Sequence, residues 1–155
     1  MKSSGSPAGH PPPQQQPPAT RQRRHLALAG ARGQVAKGRD FTRLALQDWD
    51  WDRTESAEDA LLVVSELVTN ANLHAGGCLQ LVLTRTDVLR IEVVDGSAVP
   101  PRSDPSPRRG VPGGHGLYII DRLCDRWGHE AHAEGKVVWA EIEGTRLISG
   151  RAAGG

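Results

Sequence analysis

Three polar side chains recur at intervals of four residues in one otherwise apolar stretch, SELVTNANLHA. They are Glu66, Asn70 and His74. Because four residues slightly exceed one helical turn, Glu66 and Asn70 would lie only about 40° apart and share a face. A carboxylate and a carboxamide on one line can hold a hydrated divalent cation and orient a hydroxyl group or a water. The alternative is an ordinary amphipathic helix whose polar groups face water.

The apolar residues of the same segment fall into two sets. The larger set points away from Glu66 and consists of Leu61, Val64, Leu67, Val68 and Ala71. Leu62 and Leu73 lie on the same side as Glu66 and bracket it along the helix. That face must therefore meet both polar and apolar groups, which an ordinary solvated face does not.

Two later features could bind a ligand. Asp95 ends the run LRIEVVD, where its carboxylate could accept a hydrogen bond from a ligand amine or merely cap the following turn. The segment GGHG, residues 113–116, leads directly into an expected helix. The free N–H groups of a helix start favour a phosphate, although a glycine cluster can also be only a hinge.

The elements that position these residues follow from hydrophobic periodicity. Residues 1–22 hold six of the eleven prolines and are expected to be a disordered tail, with one domain over 23–143 and a flexible tail over 144–155. The helices are expected at 34–49, from an N-cap at Ser56 to Gly76, and at 115–127. Strands are expected at 79–85 and 88–95, followed by a hairpin around Gly135. This order predicts an α+β sandwich with one mixed or antiparallel sheet.

Composition excludes several classes of protein. The 155 residues fit one domain. The 19 basic and 18 acidic residues give a net charge of +1, which does not indicate a nucleic-acid-binding protein. The two cysteines match no metal or redox spacing, so free thiols in a reducing compartment are expected. No apolar run approaches the roughly 20 residues of a membrane helix, and the proline-rich start is unlike a signal peptide. We expect a cytoplasmic protein without membrane contact.

Taken in order, these motifs resemble the GHKL ATPase superfamily of gyrase, heat-shock chaperones, histidine kinases and mismatch-repair proteins. The resemblance is closer to the anti-sigma-factor serine/threonine kinase branch, which carries ELVTNAxxHA, an Asp-ended strand, GxGLxxVDxLxDxWG and GKxVWxE. This chain reads ELVTNANLHA, VVDGS, GHGLYIIDRLCDRWG and GKVVWAE. The resemblance covers about residues 24–143. It implies the two-layer α/β sandwich of the Bergerat fold, a mixed, mainly antiparallel sheet, and ATP held between the helices and a lid.

The resemblance also implies residue roles. Glu66 matches a general base, Asn70 the ligand of Mg²⁺ on the phosphates, and Asp95 the acceptor for the adenine amine. The remaining cofactor-binding candidates lie at the lid end and at the start of the last strand: Gly114, His115, Gly116, Leu117 and Lys136. His74 matches a histidine for which a packing or adenine-side role is expected.

Two departures from the family pattern bear on phosphate binding. His115 stands where the branch often has arginine, and Val137 replaces a common threonine. Arg108, Arg109 and Lys136 could supply the missing positive charge.

Two functions therefore remain open. The first is an ATP-dependent kinase that phosphorylates a small anti-anti-sigma (STAS-type) partner, in a system that also involves a sigma factor. The second is a regulator that binds nucleotide and sequesters a sigma factor or another partner without phosphotransfer. A sensor histidine kinase fragment is disfavoured, because 155 residues leave no room for a phosphoacceptor hairpin. A homodimer is expected from the family alone.

Overall fold

The computed structural model describes residues 21–101 and 116–148. In chain order the elements are β1 (Gln22–Ala27), α1 (Gln34–Asp48), α2 (Glu55–His74), β2 (Cys78–Arg85), β3 (Val88–Asp95), α3 (Gly116–Leu123), β4 (Arg126–His132), β5 (Gly135–Glu143) and a short 3₁₀ helix (Gly144–Arg146). The expected order of helices and strands is confirmed. Within the described ranges, no helix is both long and apolar enough to cross a membrane.

The five strands form one sheet in the order β1-β2-β3-β5-β4, and every pair of neighbours is antiparallel. Of the arrangements left open by the sequence, mixed or antiparallel, the described strands adopt the antiparallel one. In β3 the alternating residues Leu89, Ile91, Val93 and Asp95 are buried against the helices. Alternation therefore places the Asp95 carboxylate at the end of an apolar row that faces the helical layer.

The helices and the inner face of the sheet share one hydrophobic core, which makes the predicted α+β two-layer sandwich. The set of α2 residues predicted to point inward (Leu61, Val64, Leu67, Val68 and Ala71) is at most 4% exposed. Burial of such a long apolar stripe stabilises α2 more than helix propensity alone would.

The start of α2 differs from the sequence prediction. Thr54, not Ser56, is the N-cap, and its side chain accepts a hydrogen bond from the Ala57 N–H at 3.1 Å. Glu55 and Glu58 then lie in the first turn, where the helix dipole favours negative charge. Both sites suit an N-cap chemically, and the path of the incoming chain decides between them.

Helix α3 is shorter than the sequence predicted. It ends at Leu123, and Arg126 and Trp127 belong to β4, opposite Glu141 and Ala140 of β5. The local helical pattern is overridden because pairing with β5 satisfies the backbone of this segment.

Both tails differ from their expected boundaries. Strand β1 already begins at Gln22, and the 3₁₀ helix Gly144–Arg146 directly follows β5. Leu147 is fully buried in the core, and the Gly144 N–H donates to the Asp87 carbonyl at 2.8 Å. Residues 144–148, which the sequence assigned to a flexible tail, therefore include a core residue and a hydrogen bond to the turn between β2 and β3.

Candidate nucleotide-binding site

A cavity of about 290 Å³ lies between the C-terminal half of α2, the inner face of the sheet and the segment that follows β3. We call it the α2–β3 cavity. It is lined by Leu67, Asn70, Ala71, Leu73, His74, Ala75, Val93, Asp95, Val99, Pro100, Pro101, Lys136 and Val138. Its volume is close to the lower end of the roughly 300–1,000 Å³ typical of small-molecule sites.

Asn70 supplies a buried polar group on the helical wall of this cavity. It is 6% exposed, although the neighbouring Leu73 is 50% exposed. Asn70 follows Leu67 by three residues, so the two side chains share one face of α2, and both line the cavity. Buried amides are usually hydrogen-bonded, so an amide that faces a cavity is suited to bind a polar ligand.

Asp95 provides the carboxylate at the opposite wall and is only 2% exposed. Its Oδ1 accepts hydrogen bonds from the Ser97 N–H at 2.9 Å and from Lys136 Nζ at 3.1 Å. The ammonium group also lies 3.1 Å from Oδ2. Asp95 therefore caps the following turn, as the simpler reading of the sequence held, and also faces the cavity.

The sheet register brings Asp95 and Lys136 together. The two residues are direct partners across β3 and β5, so their side chains leave the same face of the sheet. Lys136 is itself 5% exposed. The sequence predicted a cofactor-binding role for Lys136 through positive charge near the phosphates, whereas the structure pairs this charge with Asp95.

Gly135 allows the backbones of β3 and β5 to approach closely at this end. A Cβ on Gly135 would collide with the carbonyl oxygen of Asp95 and lie 2.8 Å from Gly96 Cα. Because both obstacles are backbone atoms, they cannot move aside like the end of a side chain. Sequence reasoning treated Gly135 only as a hairpin position. A glycine within a strand can also mark a site where another backbone approaches closely, and this signal could have revealed its role.

Glu66 lies one turn before Asn70 on α2 and is half-buried. It is not among the residues that line the α2–β3 cavity in the described part of the chain. The predicted bracketing by Leu62 and Leu73 is only partly reflected in the cavity, since Leu73 lines it and Leu62 does not. His74, which had the least defined role, lies in the cavity wall at the end of α2.

The remaining candidates belong to the start of α3. Gly114 and His115, and also Arg108 and Arg109, lie outside the described residues, and Gly116 begins α3. Leu117 is 3% exposed and belongs to the hydrophobic core. Its predicted contact with a cofactor does not appear among the described cavity residues, because its side chain is on the inward face of α3.

Sequence reasoning missed the apolar walls of the cavity. Val93 and Val138 form the sheet side, and Val99 to Pro101 form part of the rim. Strand alternation places Val93 and Asp95 on the same face, so the sheet wall could have been predicted. The rim could not, since its position depends on the path of an irregular segment.

The family model described as histidine kinase-like ATPase domain matches residues 27–142, and the chain belongs to this family. A comparison with curated proteins returned no match. The GHKL assignment is thereby confirmed, and with it a domain of the class that binds ATP, usually with Mg²⁺.

The described cavity residues fit ATP and Mg²⁺ chemically. Val93 and Val138 offer apolar contact for a planar base, and the Asp95 carboxylate can accept a hydrogen bond from its exocyclic amine. Asn70 offers an amide oxygen, which is a hard ligand suited to Mg²⁺.

Proposed function

We propose that the protein is an ATP-dependent serine/threonine kinase of the anti-sigma type. In this proposal it phosphorylates a small STAS-type anti-anti-sigma protein in the cytoplasm and so controls the release of a sigma factor through partner switching. The observation that carries the proposal is the convergence of Asn70 and Asp95 on one cavity, within a chain that carries the branch motifs in order.

The proposed chemistry assigns one task to each end of the site. Asp95 would accept a hydrogen bond from the adenine amine, and Asn70 would hold the Mg²⁺ that supplies positive charge to the phosphates, with Glu66 one turn away on α2. The serine oxygen of the partner then forms a bond to the γ-phosphorus as the bond to the ADP oxygen breaks. Glu66 accepts the serine proton. Positioning and charge stabilisation supply most of the catalysis in such transfers.

A second candidate is a regulator that binds nucleotide without transferring phosphate. The departures from the branch pattern at His115 and Val137 favour it, since histidine in place of arginine removes one fixed positive charge that phosphate transfer would use. In this case the nucleotide would only stabilise the conformation that sequesters the sigma factor or another partner.

Glu66→Ala and Asp95→Asn separate these functions. With labelled ATP, Mg²⁺ and a panel of STAS-type proteins, Glu66→Ala should retain nucleotide affinity and lose transfer by about 100-fold or more. Asp95→Asn should lose about tenfold or more in affinity, because a charge-assisted hydrogen bond is removed. Glu58→Ala is the matched control, since Glu58 is an exposed glutamate of α2 away from the cavity.

The outcomes distinguish the two candidates. If the wild-type chain binds ATP but labels no partner, the kinase proposal fails and the regulator remains. If Asp95→Asn binds ATP as tightly as the wild type, the assignment of the base site is wrong. Circular dichroism of each variant checks that the loss does not reflect unfolding.

A further inference from the structure

Lys136 is an unusual residue for a buried cavity wall. Lysine is almost never fully buried unless it is paired, and here it is 5% exposed and paired with Asp95. Removing both charges from water costs more than an exposed pair would, so the pair is weak evidence for stability. A role in ligand recognition explains why a charged pair occupies this wall.

The hydrogen-bonding capacity of the pair is only partly used by the protein. Lys136 Nζ carries three N–H donors, and its hydrogen-bond acceptors among the described residues are Asp95 Oδ1 at 3.1 Å and the Ser97 carbonyl at 3.4 Å. Asp95 Oδ1 accepts two hydrogen bonds, whereas among the described residues Oδ2 is contacted only by the ammonium group. Toward the described part of the chain, the pair therefore retains one donor on Lys136 and acceptor capacity on Asp95 Oδ2.

An adjacent donor and acceptor match the polar edge of adenine. The 6-amino group of adenine donates, and the neighbouring ring nitrogen N1 accepts, so both can be read by one protein pair. We propose that Lys136 is a base-reading residue, which donates a hydrogen bond to adenine N1 while Asp95 accepts one from the 6-amino group. This inference rests on the proposed nucleotide binding and deepens it, since it names the base and the atom that Lys136 recognises.

Guanine presents the same two functions in the reverse order, with an acceptor at position 6 and a donor at N1. Asp95 is fixed by the Ser97 N–H and by the close backbone approach of Gly135, so it is the less adjustable member of the pair. The carboxylate therefore sets the order of the contacts, and the site should prefer adenine to guanine.

Binding of 1-deaza-ATP, in which N1 is replaced by a C–H group, tests the contact directly. Isothermal titration calorimetry with Mg²⁺ should show that the wild-type chain binds 1-deaza-ATP about tenfold or more weakly than ATP. In Lys136→Met the two nucleotides should bind equally. Lys37→Met is the control, because Lys37 is an exposed lysine of α1, and it should keep the wild-type ratio.

Each result decides the proposal. Equal binding of ATP and 1-deaza-ATP by the wild-type chain overturns it, and so does tighter binding of GTP than of ATP. A wild-type preference that persists in folded Lys136→Met assigns N1 recognition to another group and also overturns it. If Lys136→Met does not fold, the double variant Asp95→Asn/Lys136→Met, which leaves no buried charge unpaired, takes its place and should likewise bind the two nucleotides equally. Absence of all ATP binding would overturn the proposed function together with this inference, whereas ATP binding with a ratio of one would overturn this inference alone.

Discussion

Gly135→Ala should disrupt both the stability of the domain and its nucleotide site. The new Cβ would lie 2.8 Å from Gly96 Cα and 2.9 Å from the Asp95 carbonyl carbon, with the carbonyl oxygen closer still. Ordinary carbon contacts are about 3.5–4.0 Å, so the strands must separate by roughly 1 Å. Overpacking of this kind costs about 1–3 kcal/mol in the free energy of unfolding. We expect the upper part of that range, because the obstacles are backbone atoms.

The same separation would act on the ligand site, since Asp95 and Lys136 are partners at this end of the β3–β5 ladder. Thermal denaturation followed by circular dichroism should show a decrease in Tm of several degrees, and calorimetry should show weaker ATP binding. Gly96→Ala is the matched control, because a Cβ there would come no closer than 3.9 Å to its neighbours. If Gly135→Ala is as stable as Gly96→Ala and binds ATP equally well, the close approach of Gly135 to Asp95 does not position the site.

Two further predictions concern stability and the thiols. Thr54→Ala should lower the free energy of unfolding in urea by about 1 kcal/mol, whereas Ser56→Ala should change it by less than about 0.5 kcal/mol; the reverse result would restore Ser56 as the N-cap. Burial raises the pKa of the Cys78 thiol to about 11 and that of Cys124 to about 12, so at pH 8 both should react with a disulfide reagent far more slowly in the folded than in the urea-unfolded protein. Equally fast labelling of the folded chain would contradict the burial. Unfolded thiols ionise near pH 9.0, whereas the folded ones do so only at higher pH. The two thiols should therefore leave the free energy of unfolding unchanged below pH 9.0 and reduce it as the pH rises toward 11 to 12.

The sequence predicted α2 well because its signals are local. Its apolar stripe follows the helical period over 20 residues, and the glycines after His74 mark its end. The same periodicity placed Glu66 and Asn70 on one face. It could not decide how far the cavity extends along that face, because the extent depends on β3, β5 and the segment at Val99.

Local signals failed where a tertiary partner competes with them. Gln34 would be expected to lie in water at the start of α1, yet its amide bonds the carbonyls of Leu28 and Cys78 and accepts from the Cys78 N–H. The amide satisfies backbone groups of Leu28, directly after β1, and of Cys78, the first residue of β2, so its burial is favourable. The burial of Leu147 likewise depends on tertiary structure, since only the assembled core provides its contacts.

By itself, the sequence determined the types and order of the elements, the inward face of α2, the position of Asp95 at a strand end and the family resemblance. Periodicity and motif order are properties of neighbouring residues, so they can be read before the chain folds. Only the tertiary structure decided that Asp95 and Lys136, 41 residues apart, form one buried pair. Strand register sets this pairing through contacts along the whole β3–β5 ladder, and no local pattern encodes it.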